Sequence, residues 1–127
     1  MTTIAIVEDN ADNRLLLQAI LDGLYDLVEY ENGIDALAGL TASLPDLVLL
    51  DISLPGMDGN EILARIRTDA RLRTLPVIAL TAHAMSGDRE KYLAAGFNDY
   101  ITKPIVDETI LLSAIERWLV SSRGRSS

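Results

Sequence analysis

Leu47-Val48-Leu49-Leu50-Asp51-Ile52-Ser53-Leu54-Pro55-Gly56-Met57-Asp58-Gly59 is the stretch on which the fold turns. Its first four residues are all apolar and leave no polar position for a solvent-facing side. Such a run suits a strand covered on both faces, as in a parallel sheet packed between helices. It ends on a carboxylate, and the Pro55-Gly56 pair delays the next helix, so helix capping explains Asp51 poorly. Ile4–Val7 and Val77–Leu80 repeat the unbroken apolar pattern. Asp26-Leu27-Val28-Glu29-Tyr30 is more polar and reads as an edge strand, and Tyr100–Ile101 is a short fifth run.

Between these runs lie segments of helical period: Ala11–Asp22, Ile34–Ser43, Gly59–Thr68, Asp88–Ala95 and Asp107–Ser121. Leu111, Ile115, Trp118 and Leu119 show the spacing most clearly. They read as the core face of the last helix, with any exposed part left for a partner. Gly23, Leu44-Pro45 and Gly96 are legible stops. Asn32-Gly33 has the composition of a hairpin turn, but Ile34, Leu37 and Leu40 continue at helical period, which makes it a helix entry. Residues 1–120 therefore form one domain, and Ser121–Ser127 reads as a disordered tail or a linker remnant.

Five strands alternating strictly with helices imply an α/β fold, a doubly wound parallel sheet with helices on both faces. Right-handed crossovers leave few topologies, and the flavodoxin-like (βα)5 order 2-1-3-4-5 is favoured. In such sheets ligands bind beyond the carboxyl ends of the strands, near the point where strand order reverses. Glu8-Asp9 follow strand one there, Asp51 ends strand three, Thr81 ends strand four, and Lys103 follows strand five.

Composition narrows the chemistry available to those residues. The chain has 127 residues, 49% of them hydrophobic and 24% charged, with no cysteine and a single histidine, His83. Thiol nucleophiles, iron–sulfur clusters and multi-histidine metal sites are thereby excluded. A net charge of −8 argues against a nucleic-acid partner, which calls for a basic surface. No apolar run approaches the roughly 20 residues of a membrane span, and Met1-Thr2-Thr3 carries no basic leader. The expectation is a soluble, cytoplasmic protein with no membrane partner. Neither G-x-x-x-x-G-K-[ST] nor G-x-G-x-x-G occurs, so a nucleotide loop is missing.

Glu8, Asp9 and Asp51 should converge, because strands one and three are central neighbours in the favoured order. Close carboxylates repel, and a cation at their centre relieves the repulsion. With only oxygen ligands the cation is a hard one, Mg²⁺ or Mn²⁺. A hydroxyl (Thr81) and an ammonium (Lys103) beside such a cluster can hold a phosphoryl group while a carboxylate attacks phosphorus. The chain has nine Arg but only Lys91 and Lys103 as lysines, and a compact point charge suits this position. Simpler readings stand beside these. Glu8-Asp9-Asn10 is also a plausible N-cap for the first helix, and Thr81 for the fourth.

Four motifs together settle on a family. They are Val7-Glu8-Asp9-Asn10; Leu47–Asp51 with Leu54-Pro55-Gly56-Met57-Asp58-Gly59; Leu80-Thr81-Ala82; and Ala95-Gly96-Phe97-Asn98-Asp99-Tyr100-Ile101-Thr102-Lys103-Pro104. Each alone is weak, but in this order and spacing they are specific. From about residue 3 to residue 120 the chain resembles the receiver domain of two-component response regulators, of the single-domain chemotaxis or cell-division type. The resemblance implies that Asp51 is the phosphoacceptor and that Thr81 and Lys103 bind the phosphoryl oxygens. It implies metal ligation by Asp9, Asp51, the backbone carbonyl of Ser53, and Glu8 directly or through water. Thr81 and Tyr100 become the switch pair, Ser53 and His83 the modulators of phosphate lifetime, and Lys103–Pro104 a cis bond. The donor would be a histidine kinase or histidine phosphotransfer protein docking near Asn10–Leu17 and Lys103–Asp107. The output partner would bind the face formed by helix four, strand five and helix five, with the chain itself a monomer or weak homodimer. On this reading the protein is no enzyme beyond its own phosphorylation and autodephosphorylation. Two alternatives remain open. One is a phosphohydrolase with an Asp nucleophile, although Ser53 stands where haloacid-dehalogenase-like enzymes place a second acid. The other is a degenerate receiver that binds partners without phosphorylation, although every acceptor-pocket position is filled.

Overall fold

A computed structural model of the chain describes residues 2–54, 56–82, 88–103, 105 and 107–126. Strands and helices alternate: β1 (Thr3–Val7), α1 (Ala11–Leu21), β2 (Asp26–Tyr30), α2 (Gly33–Ala42), β3 (Leu47–Asp51), α3 (Gly59–Thr68), β4 (Val77–Thr81), α4 (Asp88–Ala95), β5 (Asp99–Thr102) and α5 (Glu108–Ser126). The sheet order is β2-β1-β3-β4-β5, every neighbouring pair parallel, as in flavodoxin-like folds. β2 lies at the edge, as its polar residues require, and its side chains are exposed or half-buried. Among the described residues no helix is long and apolar enough to cross a membrane.

Alternation along the central strands divides the core into two layers. Ile4, Ile6, Leu47, Leu49, Ile78, Leu80 and Ile101 pack against Leu17 and Leu21 of α1 and Leu111, Ile115 and Leu119 of α5. Ala5, Val7, Val48, Leu50, Val77 and Ala79 face Ala36 and Leu40 of α2, Ile62, Leu63 and Ile66 of α3, and Tyr92 of α4. This two-sided demand is why β3 and β4 have no polar residue before their last position.

Three helices start on the same device. Asn10, Asn32 and Asp58 each accept a hydrogen bond from the backbone N–H three residues on, at 3.0, 2.8 and 3.0 Å. Asn32-Gly33 is thus a helix entry. Asn10 caps α1, which leaves Glu8 and Asp9 without that duty. α4 is described from Asp88 onward. α5 runs to Ser126, beyond the Ser121 boundary expected from periodicity and into the segment whose composition reads as a tail. His83 and Pro104, and with Pro104 the expected cis bond, lie outside the described residues.

Candidate functional site

Strand parity decides which side chains meet. Glu8 follows Ile6, Asp51 follows Leu49 and Lys103 follows Ile101, all on the face covered by α1 and α5. Backbone bonds extend the ladder past the strand ends, from Glu8 N–H to the Tyr30 carbonyl (3.0 Å) and from Lys103 N–H to the Thr81 carbonyl (2.7 Å). The three side chains accordingly converge. Lys103 Nζ lies 3.3 Å from Glu8 Oε1 and 3.1 Å from Asp51 Oδ1. Glu8 and Asp51 are buried, whereas Asp9, on the opposite parity, is exposed at the rim.

Glu8, Asp9 and Asp51 each offer a carboxylate oxygen within 4.8 Å of the others. Burial first, then the hydrogen bond and charge of Asp51, push the Glu8 carboxyl up from 4.5 to about 7, against the opposing pull of Lys103. Burial also works against the Lys103 ammonium, but the combined attraction of Asp51 and Glu8 outweighs it and holds Lys103 above its ordinary value. One ammonium facing three carboxylates leaves the cluster negative. An all-oxygen donor set of this kind, partly open at Asp9, fits a small hard dication that keeps some of its waters.

Neighbouring groups fix the carboxylates in place. Ser53 N–H donates to Asp51 Oδ1 at 3.0 Å. Asn13 Nδ2 and Asn10 N–H donate to Glu8 at 3.2 and 3.3 Å, and Arg14 Nη1 donates to the Glu8 carbonyl at 2.8 Å. At the start of α3, a Cβ on Gly59 would stand 2.6 Å from the Asp51 carbonyl oxygen and 2.7 Å from Ile52 Cα. Only glycine lets α3 pack this close to the strand that carries Asp51.

Thr81 has the other parity. It follows Ala79 onto the face covered by α3 and α4, where its Oγ1 is 2.9 Å from the Tyr92 hydroxyl. The Tyr92 ring meets Phe97 edge-on at 6.0 Å and lies tilted against Tyr100 at 5.7 Å. Tyr100 is half-buried against the same layer. Thr81 and Tyr100 are therefore linked through Tyr92, a residue that sequence reasoning passed over. Its signal is faint: α4 is short and weakly amphipathic, and only the rule that a buried tyrosine hydroxyl seeks a partner marks it out. Asn13 was missed for a similar reason, since its bond to Glu8 depends on where α1 lies over the strand ends. Trp118 packs partly against the α1–α5 layer and donates from Nε1 to Asp99 Oδ2 at 3.1 Å. Arg117 adds an ion pair to the same carboxylate at 3.5 Å.

Known proteins are similar to this chain in sequence and fold. The family model for the response regulator receiver domain matches residues 4–116. The polar-differentiation response regulator DivK of Brucella anthropi is 40% identical over 104 residues, covering 81% of this chain and 85% of that protein. The sensor protein GacS of Pseudomonas syringae pv. syringae is 38% identical over 116 residues, covering 88% of this chain but only 13% of that protein. Among solved structures, the receiver domain of a sensor histidine kinase from Pseudomonas aeruginosa superposes with a TM-score of 0.83 at 38% identity, covering 93% of this chain and 97% of that one. That structure holds a magnesium ion coordinated in its active-site cleft.

Proposed function

Because the chain belongs to the response regulator receiver family of two-component signalling, we propose that it takes a phosphoryl group from a phosphohistidine donor onto Asp51 and thereby changes the surface it offers to a partner protein. The observation that carries this reading is the Lys103 ammonium set between Asp51 and Glu8 at 3.1 and 3.3 Å, with Asp9 beside them. Three carboxylates gathered around one ammonium at the carboxyl edge of the sheet leave negative charge unbalanced, which favours a cation and, with it, a phosphoryl group.

In the transfer, an Asp51 carboxylate oxygen attacks phosphorus. A P–O bond forms as the P–N bond breaks, and the imidazole nitrogen leaves with the bonding pair. Lys103 neutralises the phosphoryl oxygens, and Thr81 turns its hydroxyl toward them. Ser53 N–H holds the carboxylate in position for attack. Mg²⁺, or Mn²⁺ in its place, held by Asp9, Asp51, Glu8 and the Ser53 carbonyl, would supply the remaining countercharge for the incoming oxygens. The magnesium in the cleft of the Pseudomonas receiver supports that choice of cofactor.

Phosphorylation adds charge at one end of the sheet, and the readout is a population shift around α4, β5 and α5 with Thr81 and Tyr100 as the moving pair. A histidine kinase or histidine phosphotransfer protein is the donor class, in keeping with the kinase-borne receivers it resembles. Residues 1–120 constitute the receiver, acting as a cytoplasmic signalling module. Ser53 and His83, two residues beyond Asp51 and Thr81, tune phosphate lifetime.

Acetyl phosphate with Mg²⁺ tests the reading. Intact mass should rise by one phosphoryl group, and Asp51→Asn or omission of the metal should prevent the rise. An equal gain in Asp51→Asn would move the acceptor elsewhere and overturn the assignment.

A further inference from the structure

We propose that the Tyr92 hydroxyl is a latch on Thr81 that competes with the phosphoryl group on Asp51, so that Tyr92 is a positioning residue for phosphorylation. The proposal rests on Asp51 being the phosphoacceptor. Thr81 and Tyr92 are both buried, and their oxygens are 2.9 Å apart. The bond aims Thr81 at α4, whereas Glu8, Asp51 and Lys103 gather on the opposite parity of the sheet. For Thr81 to reach a phosphoryl oxygen it must turn away from Tyr92. Turning Thr81 toward the pocket gives up this buried 2.9 Å hydrogen bond, and that loss opposes the turn.

The second half of the latch is the ring. Tyr92 is wedged between Phe97 and Tyr100 at centroid distances of 6.0 and 5.7 Å. Release of its hydroxyl loosens a packed aromatic trio that spans α4 and β5. The same contact therefore raises the threshold for filling the pocket and passes the event to the α4–β5 face. Removing the hydroxyl while keeping the ring should lower the threshold without opening a cavity in the core.

Beryllofluoride, which mimics a phosphoryl group on a carboxylate, reads this equilibrium without turnover. Titration calorimetry in Mg²⁺ should give Tyr92→Phe about three- to tenfold tighter beryllofluoride binding than wild type, the range expected for losing one competing hydrogen bond. In a Thr81→Val background the same change should have no effect, because the latch acts only through the Thr81 hydroxyl. Thermal melts of all four proteins report folding separately. Unchanged or weaker binding by Tyr92→Phe, with wild type binding normally, would overturn the latch and leave the phosphoacceptor reading intact. Failure of wild type itself to bind would sink that reading and the latch with it.

Discussion

Glu8 shows at a single position how burial and charge set the behaviour of the site. Its side chain is excluded from solvent, and burial first, then the hydrogen bond and charge of Asp51, raise its pKa to about 7 against the opposing pull of Lys103. A carboxyl raised in this way favours the fold most when protonated. Its contribution is fully present below 4.5 and is lost as pH rises through about 7. Glutamine keeps the shape and loses the titration. In a chelating buffer, the melting temperature of Glu8→Gln relative to wild type should therefore rise between about pH 4.5 and 7 and level off above, and a pH-independent difference would contradict the buried-carboxyl account. Sequence alone placed Glu8, Asp9, Asp51 and Lys103 at strand ends, because the apolar pattern marks where the strands stop and crossover handedness favours one strand order. It did not place Tyr92 or Asn13, because helix orientation over a sheet is settled by packing.

At the scale of elements, the strands were legible almost to the residue. Unbroken apolar runs have one interpretation when both faces are covered, and β2 betrayed its edge position by Asp26 and Glu29. Helix starts were legible where a side chain acts locally, as Asn10, Asn32 and Asp58 do. The far end of α5 was not, because Ser121 and Ser122 are neutral enough to extend an existing helix or to end it. The junction of β3 with α3 is the element most exposed to substitution. Gly59→Ala would force a methyl against the Asp51 carbonyl and should destabilise the protein by about 1–3 kcal/mol, the usual range for overpacking. Displacing the acceptor strand should also slow phosphorylation by acetyl phosphate. Denaturant unfolding and the phosphorylation rate would check the two effects, and wild-type values for both would show that α3 can retreat freely.

On the scale of the whole molecule, one arginine ties together segments that are remote in sequence. Arg67 at the end of α3 donates to the carbonyls of Arg73, Leu75 and Gly96 and to Asn98 Oδ1, at 2.7 to 3.0 Å. Asn98 Oδ1 in turn accepts from Val77 N–H. The α3–β4 and α4–β5 connections are pinned at this point, at the end of the sheet opposite the acidic cluster. Gly96 serves it with a positive φ of 114°, a conformation that turns the chain sharply out of α4. Arg67→Lys keeps the charge but cannot span four acceptors, and should cost about 2 kcal/mol in denaturant unfolding, since several partly buried acceptors lose their donors. A variant as stable as wild type would mean that water replaces the fork without loss. Nothing in the sequence marks Arg67 among nine arginines, because its partners are backbone carbonyls that any residues would supply. By itself the sequence determined the alternation of elements, the two-layered sheet and the carboxylates at its carboxyl edge, since period and parity are local properties of the chain. Only the tertiary structure decided which side chains close on one another: Lys103 on Glu8 and Asp51, Tyr92 on Thr81, Arg67 on the loops. Those contacts depend on how helices settle against the sheet, and that is fixed by the summed packing of the core rather than by any stretch of sequence.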